Sequence, residues 1–212
     1  MTDILKPVVR QVFLPFSTRF EGVIPWMYLD ILGLVTTGVG NLIDPRPAAL
    51  KVPFVTLSGA AATLGEIEEE WDTIKGHTEL AHAGAGAAKK FCKLRLTPTA
   101  VEELVDGKLT EMVGFLGKRF PELQDWPADA QLAVCSMAWA MGPGFKFPKF
   151  QVAVSKKDFA AAALQCDINA AGNPGVIPRN VANRKLFTNA ARVIMEELDP
   201  EQFVELDPLT GK

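Results

Sequence analysis

Apolar positions change their spacing along the chain. From Pro25 to Ile43 most residues are apolar or β-branched and glycines interrupt the run, which is typical of short strands joined by tight turns. After Thr97 the apolar residues recur at helical spacing; they are Val101, Leu104, Val105, Leu109, Met112, Val113 and Leu116. The pattern predicts a small antiparallel hairpin or three-stranded ribbon, followed by a long amphipathic helix.

Start and stop signals predict the other helices. Residues 1–22 fit an extended lead-in and a short helix, with Pro15 in its first turn and Gly22 at its end. A capping box at 63–66 opens a helix to about Lys75, and the acidic run within it, Glu66 to Glu70, is expected to be a solvated face. Further helices are predicted from Trp126 to Met141, from Phe150 to Asn169 and from Pro178 to Leu198.

These elements predict the α+β class in a single domain, 1–212. We expect a small antiparallel β lobe at about 20–60, a larger helical lobe at about 95–198 and an acidic tail at 199–212 that can fray. A cleft between the lobes would suit an extended polymer. The Gly/Ala-rich stretch 77–89 is predicted to loop out, either as a flap over the cleft or as a tolerated insertion.

Composition excludes several classes of function. The net charge is −3 and no basic run exceeds a pair, so nucleic acid is not an expected partner. Three widely spaced cysteines fit neither a disulfide framework nor a metal site, and two histidines exclude an H-E-x-x-H zinc site. We therefore expect no cofactor and no metal. No membrane span and no secretory signal peptide are expected either, which predicts synthesis in the cytoplasm.

Two carboxylates nine positions apart are the strongest candidates for chemistry. Glu21 has aromatic and aliphatic neighbours, so we expect it to be partly buried and to act as a general acid. If the ribbon folds back over the helix end, Asp30 would face it across a gap for one water, as an inverting glycosidase requires. The structural alternatives are a solvated helix-end acid for Glu21 and a turn-forming residue for Asp30.

The spacing of these residues resembles the active-site region of the phage-type lysozymes, the endolysin muramidase family. The shared pattern is Glu-x8-Asp-x5-Thr-x-Gly-x-Gly, which here falls without a gap on Glu21, Asp30, Thr36, Gly38 and Gly40. Weaker similarity continues through residues 96–104, 138–142 and 178–187. The resemblance implies a lysozyme-like fold.

The resemblance also implies an activity, the hydrolysis of the β-1,4 bond between N-acetylmuramic acid and N-acetylglucosamine with inversion. Glu21 would protonate the glycosidic oxygen, and Asp30 would orient or activate the attacking water. Thr36 would help to hold that water, with Thr37 as the neighbouring alternative. The expected partner is the glycan strand of bacterial peptidoglycan.

Five further positions are expected to bind the glycan. Gly38 and Gly40 lack a Cβ and therefore permit tight backbone geometry or close approach of a sugar. Trp26 and Trp139 offer aromatic faces for sugar rings, with a core role as the alternative. Asn41 stands where family members often carry a His that pairs with an acid of the helical lobe, which puts that ion pair in doubt.

Other interpretations stay open at the level of sequence. A lysozyme-like module could bind wall polymer or a protein without cleaving it. A lytic transglycosylase would need the Glu but not the Asp, and chitin is an alternative substrate. The biological role is open between a phage endolysin, released through a membrane pore, and an injected antibacterial effector with secretion machinery and an immunity protein as partners. Both would act in the periplasm or cell wall.

Overall fold

A computed structural model describes residues 4–205 of the chain. The fold is α+β, 59% helical with a small antiparallel sheet, which confirms the predicted class. Residues 1–3 of the predicted lead-in and 206–212 of the predicted acidic tail lie outside the described residues. Within 4–205, no helix combines the length and the apolar character needed to cross a membrane.

The α-helices alternate with short 3-10 turns along most of the chain. The α-helices of the described residues are α1 (Pro7–Glu21), α2 (Leu64–Gly76), α3 (Ala85–Ala88), α4 (Pro98–Arg119), α5 (Ala128–Met141), α6 (Pro148–Ser155), α7 (Phe159–Ala163) and α8 (Ile177–Met195). The 3-10 helices are Arg46–Lys51, Thr78–His82, Lys89–Phe91, Leu123–Asp125 and Pro174–Val176.

The strands form two antiparallel sheets. The first contains β1 (Ile24–Leu29), β2 (Val35–Gly38) and β3 (Asn41–Leu42) in that order, and the second pairs β4 (Val55–Thr56) with β5 (Leu94–Arg95). The three-stranded ribbon predicted for residues 25–43 is confirmed. The β4–β5 pair was not predicted, because strands of two residues are too short to show an alternating pattern.

The chain divides into two compact units. The first comprises the described residues up to Phe20 and from Leu109 onward, and the second is Glu21–Lys108. In the first unit α8 packs against α5 and α7, around rings such as Phe150 and Phe187, whose centroids are 5.2 Å apart. In the second unit α2 packs against β1 and β2.

Helix α1 is longer than the sequence predicted. It begins at Pro7 and contains Pro15 in its interior, where a proline removes a backbone hydrogen bond and disfavours the helix. Val9 and Phe13 before the proline and Phe16 after it are all buried, so tertiary packing offsets that cost.

Two other sequence-based predictions on helices are wrong in detail. The single helix expected from Phe150 to Asn169 is two helices, α6 and α7, because the chain turns at Lys157, whose φ is +54°. Stretch 77–89 does not loop out, since its short helical turns and α3 pack against β1. Apolar contact with β1 overrides the Gly/Ala-rich composition.

Two expectations for acidic segments also need correction. Glu70 is 6% exposed and accepts hydrogen bonds from the backbone N–H groups of Lys93 and Leu94, so the acidic run of α2 is not wholly solvated. The described part of the acidic tail is held to the helical unit rather than frayed. Val204 N–H donates to Asp129 Oδ2 at 3.2 Å, and Pro200 accepts a backbone hydrogen bond.

Candidate active site

Asp30 lies directly after β1, in the turn that leads into β2. Its Oδ1 accepts hydrogen bonds from the backbone N–H groups of Leu32 at 2.8 Å and Leu34 at 2.9 Å. The structural alternative for this residue, a turn-forming aspartate, is thus observed. Among residues 4–205 its Oδ2 accepts no hydrogen bond, so one carboxylate oxygen is available to a water or substrate while the other fixes the side chain.

A partly buried ion pair holds the same turn against α2. Lys75 Nζ donates to the carbonyl oxygen of Gly33 at 2.8 Å and to Asp44 Oδ2 at 2.5 Å. Asp44 Oδ2 also accepts from Val35 N–H at 3.1 Å. The turn that carries Asp30 is therefore fixed to a helix as well as to the sheet.

Glu21 ends helix α1 and is exposed, so the expectation of partial burial is wrong. Its apolar sequence neighbours do not enclose it: Val23 is itself 44% exposed, and the buried side chains of β1 begin at Met27. The end of α1 therefore leaves the Glu21 side chain exposed to solvent.

Tyr28 connects the two carboxylates electrostatically, and sequence reasoning did not single it out. Burial and, after it, the negative charges of Glu21 and Asp30 together raise the pKa of its phenol to about 12. Both carboxylates therefore act on one neutral hydroxyl. The signal that could have found it was its place inside the Glu–Asp spacing, two residues before Asp30 on a strand of alternating exposure.

Thr36 is the Cα partner of Tyr28 in the β1–β2 ladder, and such partners project from the same face of a sheet. It is 5% exposed, and its Oγ1 donates to the carbonyl oxygen of Leu34 at 3.2 Å, which leaves its oxygen able to accept from a water. Thr37 is fully buried and its hydroxyl donates to the carbonyl oxygen of Trp26 at 3.1 Å. This geometry favours Thr36 over Thr37 as a water ligand.

Gly38 and Gly40 bound the turn between β2 and β3, and both have left-handed backbone, with φ of +63° and +71°. Residues with an L side chain rarely adopt this backbone conformation, so the turn itself favours glycine at both positions. At Gly38 an added Cβ would also lie 3.0 Å from Asn41 Oδ1.

Asn41 supports that turn with its side chain. It is 6% exposed, its Oδ1 accepts from Val39 N–H at 3.1 Å, and its Nδ2 donates to the carbonyl oxygen of Leu104 at 3.3 Å. Asn41 is thus joined to the α4 backbone by a neutral hydrogen bond. Burial of the side chain gives no support to the expected contact with sugar.

Lys108 is a second residue that sequence reasoning missed. Its Nζ donates to the carbonyl oxygen of Gly40 at 2.8 Å, which ties the β2–β3 turn to α4. Desolvation lowers the pKa of Lys108, the charge of Glu21 partly opposes this, and the resulting pKa is about 8. A basic group is therefore near the candidate acid.

The two tryptophans expected to bind sugar are both engaged in protein contacts. Trp26 donates from Nε1 to the carbonyl oxygen of Ala85 at 2.9 Å, and two cations lie over its ring: Lys89 Nζ at 5.1 Å and the Arg95 guanidinium at 5.4 Å. Trp139 is 7% exposed and packs edge to face on Phe13 in the helical unit. For Trp139 the core role is observed.

The site as built has carboxylates, hydroxyls and one ammonium group. Among residues 4–205 no group of three or more His, Cys, Asp or Glu side chains has an arrangement that could hold a metal ion. The residues present are suited to proton transfer to and from a substrate and to the orientation of a water. No protein-family model and no curated protein matches the chain.

Proposed function

We propose that the chain is a peptidoglycan hydrolase with a lysozyme-like fold, cutting the β-1,4 bond between N-acetylmuramic acid and N-acetylglucosamine with inversion. The proposal is carried by the arrangement around Tyr28: Thr36 is its partner in the β1–β2 ladder, the turn after β1 fixes the Asp30 carboxylate, and the charges of Glu21 and Asp30 both raise the pKa of the phenol. Single displacement at a glycosidic carbon requires two carboxyl groups, one as general acid and one as general base, about 6.5–9.5 Å apart. The spacing of Glu21 and Asp30 in the sequence supports the same activity through the resemblance to phage-type lysozymes.

In this mechanism Glu21 gives its proton to the glycosidic oxygen as the bond to the anomeric carbon breaks. Asp30 takes a proton through Oδ2 from a water, whose oxygen forms the new bond to that carbon from the opposite face. Thr36 orients the water, and the neutral Tyr28 phenol donates a hydrogen bond to it or to a carboxylate. The products are two shorter glycan strands, one with a new reducing end.

Clearing of purified peptidoglycan tests the proposal. Glu21→Gln and Asp30→Asn should each lower the rate by about 100-fold or more, the contribution expected of a positioned acid or base. Glu102→Gln, an exposed glutamate on α4, is the matched control and should clear at the parent rate. Full activity of either site variant would contradict the assignment.

Product analysis by mass spectrometry separates the related activities. Reducing ends are expected from the hydrolase, whereas anhydro ends would indicate a lytic transglycosylase and show that Asp30 is not the base. Binding of the polymer without new ends of either kind would indicate a module that only binds the wall. The same assay on chitin oligosaccharides tests whether the muramic acid residue is needed.

A further inference from the structure

Trp26 lies on β1 two residues before Tyr28, and its indole ring is fixed in place. The ring is half-buried, and its Nε1 donates to the carbonyl oxygen of Ala85 at 2.9 Å. Since a strand rises by about 3.3 Å per residue, the backbone of Trp26 is no more than about 7 Å along β1 from that of Tyr28. The indole therefore lies beside the candidate site, within the same unit, Glu21–Lys108.

Two cations lie over this ring. Lys89 Nζ is 5.1 Å from the ring centroid and the carbon of the Arg95 guanidinium is 5.4 Å from it, so the two charges are at most the sum of these distances apart. Like charges this close repel each other, and the electron-rich face of one indole compensates them only in part. The arrangement leaves a local excess of positive charge.

Neither cation forms an ion pair with any residue in 4–205. Lys89 is exposed, and its Nζ makes no hydrogen bond within that range. Arg95 donates to the carbonyl oxygen of Leu94, which carries no charge. The charge of Arg95 also acts on Glu70, but that carboxyl is buried and already accepts from two backbone N–H groups. Both cations therefore keep N–H donors for an external anion.

The stretch 89–95 is basic within an acidic chain. The whole chain has 25 acidic and 22 basic residues, whereas these seven positions carry four basic residues and no acidic one. An anion is thus attracted to this stretch against the overall charge. A carboxylate fits the two cations over the indole, because the guanidinium of Arg95 is a planar fork that can donate to both carboxylate oxygens and Lys89 adds a second point charge.

We propose that Lys89 and Arg95 form a subsite for a free carboxylate of the wall peptide, a choice of ligand that rests on the proposed function. The peptide is attached to N-acetylmuramic acid, the sugar whose glycosidic bond is cut, so its carboxylates come within a few residues of the candidate site. The Arg95 guanidinium and Lys89 Nζ donate to this carboxylate while the glycan lies at Glu21 and Asp30. Chitin carries no peptide and makes no such contact.

Calorimetric titration of the full chain with the disaccharide N-acetylglucosaminyl-N-acetylmuramyl tetrapeptide tests the proposal, because this fragment lacks the bond that would be cut. We expect saturable binding, at least fivefold weaker for Lys89→Gln and for Arg95→Gln. The fragment with its carboxylates converted to amides should bind the parent at least fivefold more weakly. Lys93→Gln, an exposed lysine of the same stretch with no ion pair in 4–205, is the matched control and should bind as the parent does.

Three results would overturn the proposal: absence of binding at millimolar fragment, equal binding of the amidated fragment, or unchanged affinity in a folded Lys89→Gln variant. If Arg95→Gln fails to fold, exposed Lys89 carries the test. Tighter binding of a glycerol phosphate oligomer than of the fragment would also overturn it, since the cations would then recognise a wall phosphate polymer.

Binding and hydrolysis can fail separately. If the parent clears peptidoglycan but does not bind the fragment, the carboxylate subsite is wrong and the hydrolase stands. If the fragment binds through Lys89 and Arg95 but peptidoglycan gains no new ends, the subsite stands and the chain is a module that only binds the wall.

Discussion

Tyr28 and Thr36 face one another across β1 and β2 as Cα partners in the ladder. Their side chains therefore share one face of the sheet, the face from which the phenol senses the charges of Glu21 and Asp30. The ladder register thus links a hydroxyl suited to holding water with a phenol that stays protonated at neutral pH. Neither relationship depends on contacts outside Glu21–Lys108.

The pKa of Tyr28 can be measured directly, because it is the single tyrosine of the chain. Ultraviolet titration of the folded protein should give a pKa of about 12. Glu21→Gln and Asp30→Asn should each lower the pKa of this phenol, since each removes a negative charge that opposes ionisation, and part of the rise should persist because burial is the larger cause. Circular dichroism at each pH shows that the protein is still folded, and an unchanged pKa in both variants would place the carboxylates away from Tyr28.

Tyr28→Phe tests whether the phenol contributes to the proposed reaction. The change removes one hydroxyl and keeps the ring, so the fold should be retained. We expect the rate of peptidoglycan clearing to fall about tenfold, the effect of one lost hydrogen bond in the transition state. Clearing at the parent rate by a folded Tyr28→Phe variant would show that the hydroxyl is a bystander.

The sequence predicted the helices well where periodicity was strong. The buried stripe of α4 from Val101 to Leu116 and the helix α5, buried from Ala128 to Trp139, follow from apolar spacing alone. The capping box at Thr63 was also confirmed, because its chemistry is local. Elements whose stability depends on distant contacts, such as β4–β5 and the packed stretch 77–89, left no local signal.

The residues of the candidate site also divide into those with a local sequence signal and those whose role depends on distant contacts. The need for glycine at 38 and 40 could be predicted, because a left-handed turn restricts the residue type locally. The role of Tyr28 was missed because it depends on register across the hairpin, and that of Lys108 because it arises from a contact between a turn and α4. Exposure of Glu21 was mispredicted because apolar neighbours in sequence need not surround a residue at a helix end.

The two glycines of the β2–β3 turn should differ in their tolerance of a side chain. Gly40→Ala meets no atom within 4 Å and should cost about 1 kcal/mol of unfolding free energy from its backbone conformation. Gly38→Ala should cost about 2 kcal/mol, because its Cβ also crowds Asn41 Oδ1 at 3.0 Å.

A double-mutant cycle isolates that crowding. Asn41→Ala removes the crowded oxygen, so Gly38→Ala in that background should cost less than it does alone, whereas Gly40→Ala should cost the same in both. Urea unfolding of the variants gives the free energies. If the losses of unfolding free energy caused by Gly38→Ala and Asn41→Ala are strictly additive, the turn relaxes so that the added Cβ does not crowd Asn41.

The three cysteines should resist thiol reagents in the folded protein. All three are buried, and burial raises the pKa of both Cys92 and Cys166 to about 12, so almost no thiolate forms at pH 8. A chromogenic disulfide reagent should modify none of them within minutes and all three in denaturant. Ser155→Cys, at an exposed position, is the reactive control, and rapid modification of native protein lacking that change would contradict the burial.

Lys108 gives the stability of the fold a defined dependence on alkaline pH. Its pKa is about 8 in the folded protein and about 10.5 when unfolded, so between these values the unfolded chain binds more protons than the folded one. The contribution of Lys108 to the unfolding free energy must therefore rise with pH between these two values. It rises because the folded protein loses the proton and no longer has to bury a charged ammonium group. Below pH 8 the full cost is present.

Comparison with Lys108→Met isolates this contribution from the cysteines and Tyr28, which ionise in both proteins. The parent's unfolding free energy minus that of the variant should increase by about 2 kcal/mol between pH 7 and pH 9.5. In a Glu21→Gln background the increase should begin at lower pH, because the Glu21 charge raises the pKa of Lys108. If the difference in unfolding free energy between parent and Lys108→Met does not change with pH, the Lys108 ammonium is hydrated in the folded protein. If Glu21→Gln does not move the pH range of the increase, the candidate acid lies away from Lys108.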